Sequence, residues 1–129
     1  FHSKNIHYNA ETEKISIIDF QDLMRGPKLY DIVSFIEDPY LNLSFQTREN
    51  LRRIAFEELF KTSKTSKEIL DQYYKTSAQR LYKAIGTYTS KFYLTRNNYY
   101  LSYMASAVTS LSMALDFLEK PEVGKFLHE

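Results

Sequence analysis

The sequence predicts a mainly α-helical chain carrying one small β-hairpin, and three observations predict it. Two short runs near the start, "NIHY" and "KISIID", alternate apolar and polar residues with the period of two that belongs to a strand. From Leu29 onward the apolar residues recur at spacings of three and four, the helical period, through most of the chain. Only three glycines and three prolines interrupt 129 residues, so the long periodic stretches meet few breakers. The length suits one domain of ordinary size and is short for two.

Taken in order, Ile6 and Tyr8 mark the first strand, Ile15 and Ile17 the second, and the polar "NAETE" between them reads as a hairpin loop. "QDLMRGPK" follows as a loop, with Gly26-Pro27 at the point where a helix can start. "LYDIVSFIEDPY" predicts a short helix with Leu29, Ile32, Val33 and Ile36 on one face and Pro39 as its stop. Thr47 is placed to cap a second helix whose stripe is Leu51, Ile54, Ala55, Leu59 and Phe60. After the loop "KTSKTSK", Ser66 is the N-cap of a longer helix carrying Ile69, Tyr73, Leu81, Ile85, Tyr88 and Phe92. Gly86 inside it costs about 1 kcal/mol against Ala, which predicts close packing or a kink there. "TRNN" breaks the pattern before a last long helix with Tyr100, Met104, Val108, Leu111, Leu115 and Leu118. Of the eleven tyrosines, Tyr73, Tyr88, Tyr100 and Tyr103 share their stripes with Leu and Ile. Core packing explains them better than an aromatic box for a quaternary ammonium.

Composition excludes several functions. A net charge of +1 with 26% charged residues gives neither a nucleic-acid footprint nor a polybasic membrane anchor. No apolar run is long enough to cross a bilayer. With no cysteine there is no disulfide framework and no thiolate chemistry, which points to a cytoplasmic protein. Three scattered glycines cannot form a glycine-rich phosphate loop within these residues. His2, His7 and His128 do not match zinc spacing and read as surface histidines.

The hairpin is the chemically interesting element. If Ile6 pairs with Ile18, Asn5 stands opposite Asp19, and opposed α-carbons lie about 4.5–5.5 Å apart. An amide oxygen and a carboxylate at the open end of the ladder could then share one small cation. Mg²⁺, at about 2.0–2.1 Å from each and with its remaining shell left to water and phosphate, suits that donor set. The competing reading is that Asn and Asp at strand ends only make local turn bonds.

The order of Asn, strand, hairpin and "IIDF" is that of eukaryotic-like kinases, where a catalytic-loop Asn and a D-F-G Asp each hold Mg²⁺ against ATP. Together "FHSKNI", "IIDFQD", "GPKLYDIVSFIEDPY" and "AQRLYKAIGTYTSKF" resemble the C-terminal lobe of the aminoglycoside phosphotransferase and choline kinase superfamily. The likeness is greatest to its bacterial anomeric sugar kinases, which act on N-acetylmuramate and N-acetylglucosamine. It is dense over residues 1–40 and looser over 78–93.

The resemblance implies the helical lobe of a protein-kinase-like α+β fold, with residues 1–27 as metal hairpin and loop and 28–129 as a helical subdomain. It implies Asn5 and Asp19 as Mg²⁺ ligands and Ile18 on the wall of the ATP pocket. Asp31 becomes the buried carboxylate that holds the catalytic loop in shape, and His2 a structural histidine of that loop. Asp22 and Arg25 flank the metal loop, facing sugar or phosphate or simply solvent. Gln21 departs from the third residue of D-F-G, as is usual in the small-molecule branch. The family's catalytic Asp, five positions before Asn5, falls immediately before Phe1, and its nucleotide-gripping lobe lies outside these residues. The implied partners are a small sugar or amino-sugar acceptor and that N-terminal lobe, with no nucleic acid or membrane. The 129 residues alone are expected to be inactive and to self-associate. Stripes led by Leu81, Ile85, Phe92, Met104 and Leu111 would lack the central helix they pack on in the resembled fold. Other acceptors of the superfamily, such as an aminoglycoside, choline or another small alcohol, stand as alternatives. So does a non-catalytic helical interaction module, for which two metal ligands at one hairpin end would serve no purpose.

Overall fold

Residues 2–19, 21, 24–61 and 66–120 are described by the structure, a computed structural model, and they are mainly helical with one two-stranded antiparallel sheet. A single 3-10 turn, Ser3–Asn5, leads into β1 (Ile6–Asn9), which pairs with β2 (Lys14–Ile17). The register joins Ile6 to Ile17, Tyr8 to Ile15 and Asn9 to Lys14, one residue short of the expected Ile6–Ile18 pairing. The turn explains the slip. Asn9 belongs to the ladder, and its Oδ1 accepts the N–H groups of Glu11 and Thr12 at 3.0 Å each. That side-chain turn closes the hairpin over residues 10–13, with Glu13 in the left-handed region at φ 54°.

Four α-helices follow among the described residues. Helix α1 (Tyr30–Ile36) stops before Pro39, as expected. Helix α2 (Phe45–Phe60) is capped by Ser44, whose Oγ accepts the Thr47 N–H at 3.2 Å, so the cap stands three residues before the expected Thr47. Helix α3 (Lys67–Thr95) starts at the expected cap, with Ser66 Oγ accepting from Ile69 at 3.3 Å. It ends where Arg96 turns left-handed at φ 55°. The last periodic stretch is split between a 3-10 segment, Asn98–Tyr103, and α4 (Met104–Phe117). Asn97 initiates the 3-10 segment by accepting the Tyr99 N–H at 2.9 Å.

Two apolar clusters hold these helices. Leu29, Val33 and Ile36 of the α1 region pack with Phe56 of α2 and Tyr73 of α3. Further along α3, Leu81 and Tyr88 pack with Ala107, Leu111, Ala114 and Leu115 of α4. Ile85 and Met104 lie against the second cluster. The stripes of α3 and α4 therefore close on each other, contrary to the expectation that they lack a partner. Apolar surface is left in water on both halves, at Ile15, Ile17 and Met24, the last 89% exposed, and at Ile54, Tyr93, Leu94 and Met113 among the helices. The close packing expected at Gly86 is absent: a Cβ built there meets nothing within 4 Å. Among the described residues, no helix is long and apolar enough to cross a membrane.

Candidate functional site

The open end of the hairpin is built by backbone geometry on both strands. On the first, the Asn5 N–H donates to the His2 carbonyl at 3.0 Å, closing the 3-10 turn that presents Asn5. On the second, the Ile18 N–H donates to the Asn5 carbonyl at 2.9 Å, ending the ladder. With the register one residue short, Asn5 stands opposite Ile18, and an extended Asp19 would project away from it. Asp19 instead adopts φ 59°, in the left-handed region that Asp tolerates better than most residues. Its carboxylate is thereby brought to Asn5, whose Nδ2 donates to Oδ2 at 3.3 Å. Gln21 Nε2 donates to the other oxygen, Oδ1, at 2.6 Å.

An amide oxygen and a carboxylate here could hold Mg²⁺ only with the Asn5 amide turned. Two oxygens at 2.0–2.1 Å in adjacent octahedral positions lie about 2.9 Å apart, and the pair is now joined by an amide-to-carboxylate hydrogen bond of 3.3 Å. Turning the Asn5 amide over presents Oδ1 in place of Nδ2. Among the described residues no group of three or more His, Cys, Asp or Glu side chains could cage a metal.

A cleft of about 1190 Å³ lies beside this pair and gathers most of the residues singled out in the sequence. His2, Asn5, Ile18, Asp19, Arg25 and Asp31 all line it, with Met24 and Phe35 supplying apolar wall. Arg25 and Ile18 are exposed at its surface. The Nδ1 of His2 is buried and has no hydrogen-bond partner among the described residues. Asp22 lies outside the described residues.

The role expected of Asp31 is overturned. Asp31 is exposed in the first turn of α1 and is not the carboxylate that meets the loop before β1. That bond comes from Asp38, just beyond the C-terminus of α1 and only 3% exposed. Its Oδ2 accepts the Ser3 N–H at 2.8 Å, and its Oδ1 accepts the Tyr40 N–H at 3.0 Å. One face of α1 packs into the helical core, so the side chain free to reach the loop is the one past the helix end.

Lys4 makes a second tie between the turn and the helical body. Its Nζ donates to Tyr99 Oη at 3.0 Å and sits 3.6 Å from the centre of the Tyr40 ring. The shared hydrogen bond raises the Lys4 ammonium pKa and lowers that of the Tyr99 phenol. Sequence reasoning missed Asp38, Lys4 and the contact of Gln21. Asp38-Pro39 carried a signal, an Asx turn past a helix end, but the turn accounts for only one of its two oxygens. No family model, curated protein or solved structure matches the chain.

Proposed function

We propose that these residues are the C-terminal part of an ATP- and Mg²⁺-dependent phosphotransferase that phosphorylates a hydroxyl of a sugar or amino sugar. The observation that carries the reading is the Asn5–Asp19 pair, 3.3 Å apart at the open end of a hairpin and facing a large cleft. A left-handed backbone at Asp19 brings the two side chains together. Glu13, Asn42, Lys61, Arg96 and Glu119 share the left-handed region, so the support lies in the polar pair it brings together beside a cleft and not in the backbone alone. Bound Mg²⁺ would neutralise charge on the transferring phosphoryl group. In this reading Asn5 and Asp19 hold the ion, Gln21 fixes the second carboxylate oxygen, and Asp38 keeps the turn that presents Asn5. Ile18, Met24 and Phe35 give the cleft an apolar wall against which an adenine can lie. Arg25 supplies a cation at its edge, which favours a neutral or anionic acceptor over a polycationic one.

The test is transfer of labelled γ-phosphoryl from ATP to N-acetylglucosamine or N-acetylmuramate by the full-length protein. Asp19→Asn should lower turnover by about 10²-fold or more, the usual scale for a lost preorganised charge, while leaving the thermal melt nearly unchanged. Absence of transfer to any small hydroxylated acceptor, or full activity in the variant, would remove the proposal.

A further inference from the structure

A second cavity, of about 600 Å³, lies in the helical half and shares no lining residue with the cleft beside Asp19. It lies between α2 and α4, which meet beside it through Arg48 and Ser110. The face that α4 turns toward α3 is apolar, with Ala107, Leu111, Ala114 and Leu115 buried. The face lining the cavity is hydroxylated instead: Ser106, Thr109 and Ser110, preceded by Ser102 in the 3-10 segment. From the other side come Arg48 and Arg52, one helical turn apart on α2, with side chains only 15% and 13% exposed. A gap that served packing alone would be filled by apolar side chains. Burying guanidinium groups in one is costly unless they are paired.

They are paired one for one. Arg48 donates to Glu37 at 3.0 Å and also to Ser110 Oγ; Arg52 pairs with Glu49 and donates to Tyr74 Oη at 2.7 Å. Glu37 is also bonded through its other oxygen, accepting from Tyr73 Oη at 2.7 Å. The charged lining therefore consists of two cations and two anions and sums to zero. An ionic ligand gains no net attraction from such a wall, whereas a ligand with many hydroxyls meets the Ser106 hydroxyl and the oxygens of Ser102 and Thr109, whose protons go to the Tyr99 and Ala105 carbonyls and which remain acceptors. Phe45, Tyr103 and Met113 complete the cavity with apolar surface. Its volume is in the range of small-molecule sites, about 300–1,000 Å³.

We infer that this cavity is a second binding site, for an uncharged polyhydroxylated ligand of about hexose size, and that it is independent of the phosphotransferase reading. The probes are glucose, glucuronate and glucosamine, which share a ring and differ in charge. Each is titrated into the isotopically labelled 129-residue chain and followed by backbone amide NMR. Glucose should bind, with shifts centred on Ser106, Thr109, Ser110 and Arg48, and at least about tenfold more tightly than either charged sugar. Ser106→Leu, which fills the cavity without removing a hydrogen bond made by Ser106, should abolish the shifts while the melt is retained. The map on the unaltered chain decides the location even if that variant fails to fold. Asp19→Asn should leave glucose binding unchanged, which separates this site from the metal cleft. No binding of any of the three, tighter binding of a charged sugar, or shifts centred on the hairpin would overturn the inference.

Discussion

Asp19 and Asp38 are both acidic side chains near the same turn, and their surroundings give them different work. Asp19 is exposed, held by two amide side chains, and reached only because its backbone is left-handed. Asp38 is buried and accepts two backbone N–H groups, so it serves the shape of the turn. Asp38→Ala leaves those two buried donors unpaired and should cost about 1–3 kcal/mol. Asp31→Ala, at an exposed helix position, should stay within about 0.5 kcal/mol of the parent chain. Denaturant titration of the two variants checks the contrast; equal losses would contradict it. Asn5 and Asp19 were legible in the sequence because hairpin pairing brings their neighbourhoods together at either register. Asp38 was not, since "EDPY" is fully explained locally as a helix stop followed by a turn. A contact across 35 residues leaves no local signature.

The strands of the hairpin bury almost nothing, so the element is not held in place by its own apolar face. It is fixed to the helices through the turn before β1, by the bonds from Ser3 to Asp38 and from Lys4 to Tyr99. The helices were readable from apolar period, and Ser66 as a cap because it stands three residues before Ile69, the first residue of the stripe it serves. The α2 cap was misread for a physical reason: Ser44 and Thr47 are both good caps three residues apart. Gly86 is the clearest element-scale test. It is exposed in the middle of α3, its added Cβ would meet nothing within 4 Å, and its φ is not positive. Gly86→Ala should therefore stabilise the chain by about 0.5–1 kcal/mol, through backbone entropy and helix propensity. Destabilisation in a thermal melt would mean the glycine is needed for a bend or contact.

At the scale of the whole molecule, two apolar clusters share α3, and Tyr74 touches both. Tyr73, fully buried in the first, ties the core to Glu37 and hence to the salt bridge with Arg48. Burial, reinforced by the neighbouring Glu37 carboxylate, holds the Tyr73 phenol well above its ordinary value of 10.0. The folded state then keeps a proton that the unfolded chain gives up. Its contribution is complete below about pH 10 and is lost above it, at about 1.4 kcal/mol per pH unit. The melting temperature of the parent chain should fall more steeply above pH 10 than that of Tyr73→Phe; parallel slopes would contradict the burial account.

The central claim, that Asn5 and Asp19 form one cation site, is tested most directly by Mn²⁺ titration of the labelled chain. Paramagnetic broadening reports even weak occupancy through the residues nearest the ion. Broadening should begin at the amides of Asn5, Ile18, Asp19 and Gln21 and disappear in Asp19→Asn, with Mg²⁺ competing it away. Broadening that starts elsewhere, or that persists in the variant, would contradict the account.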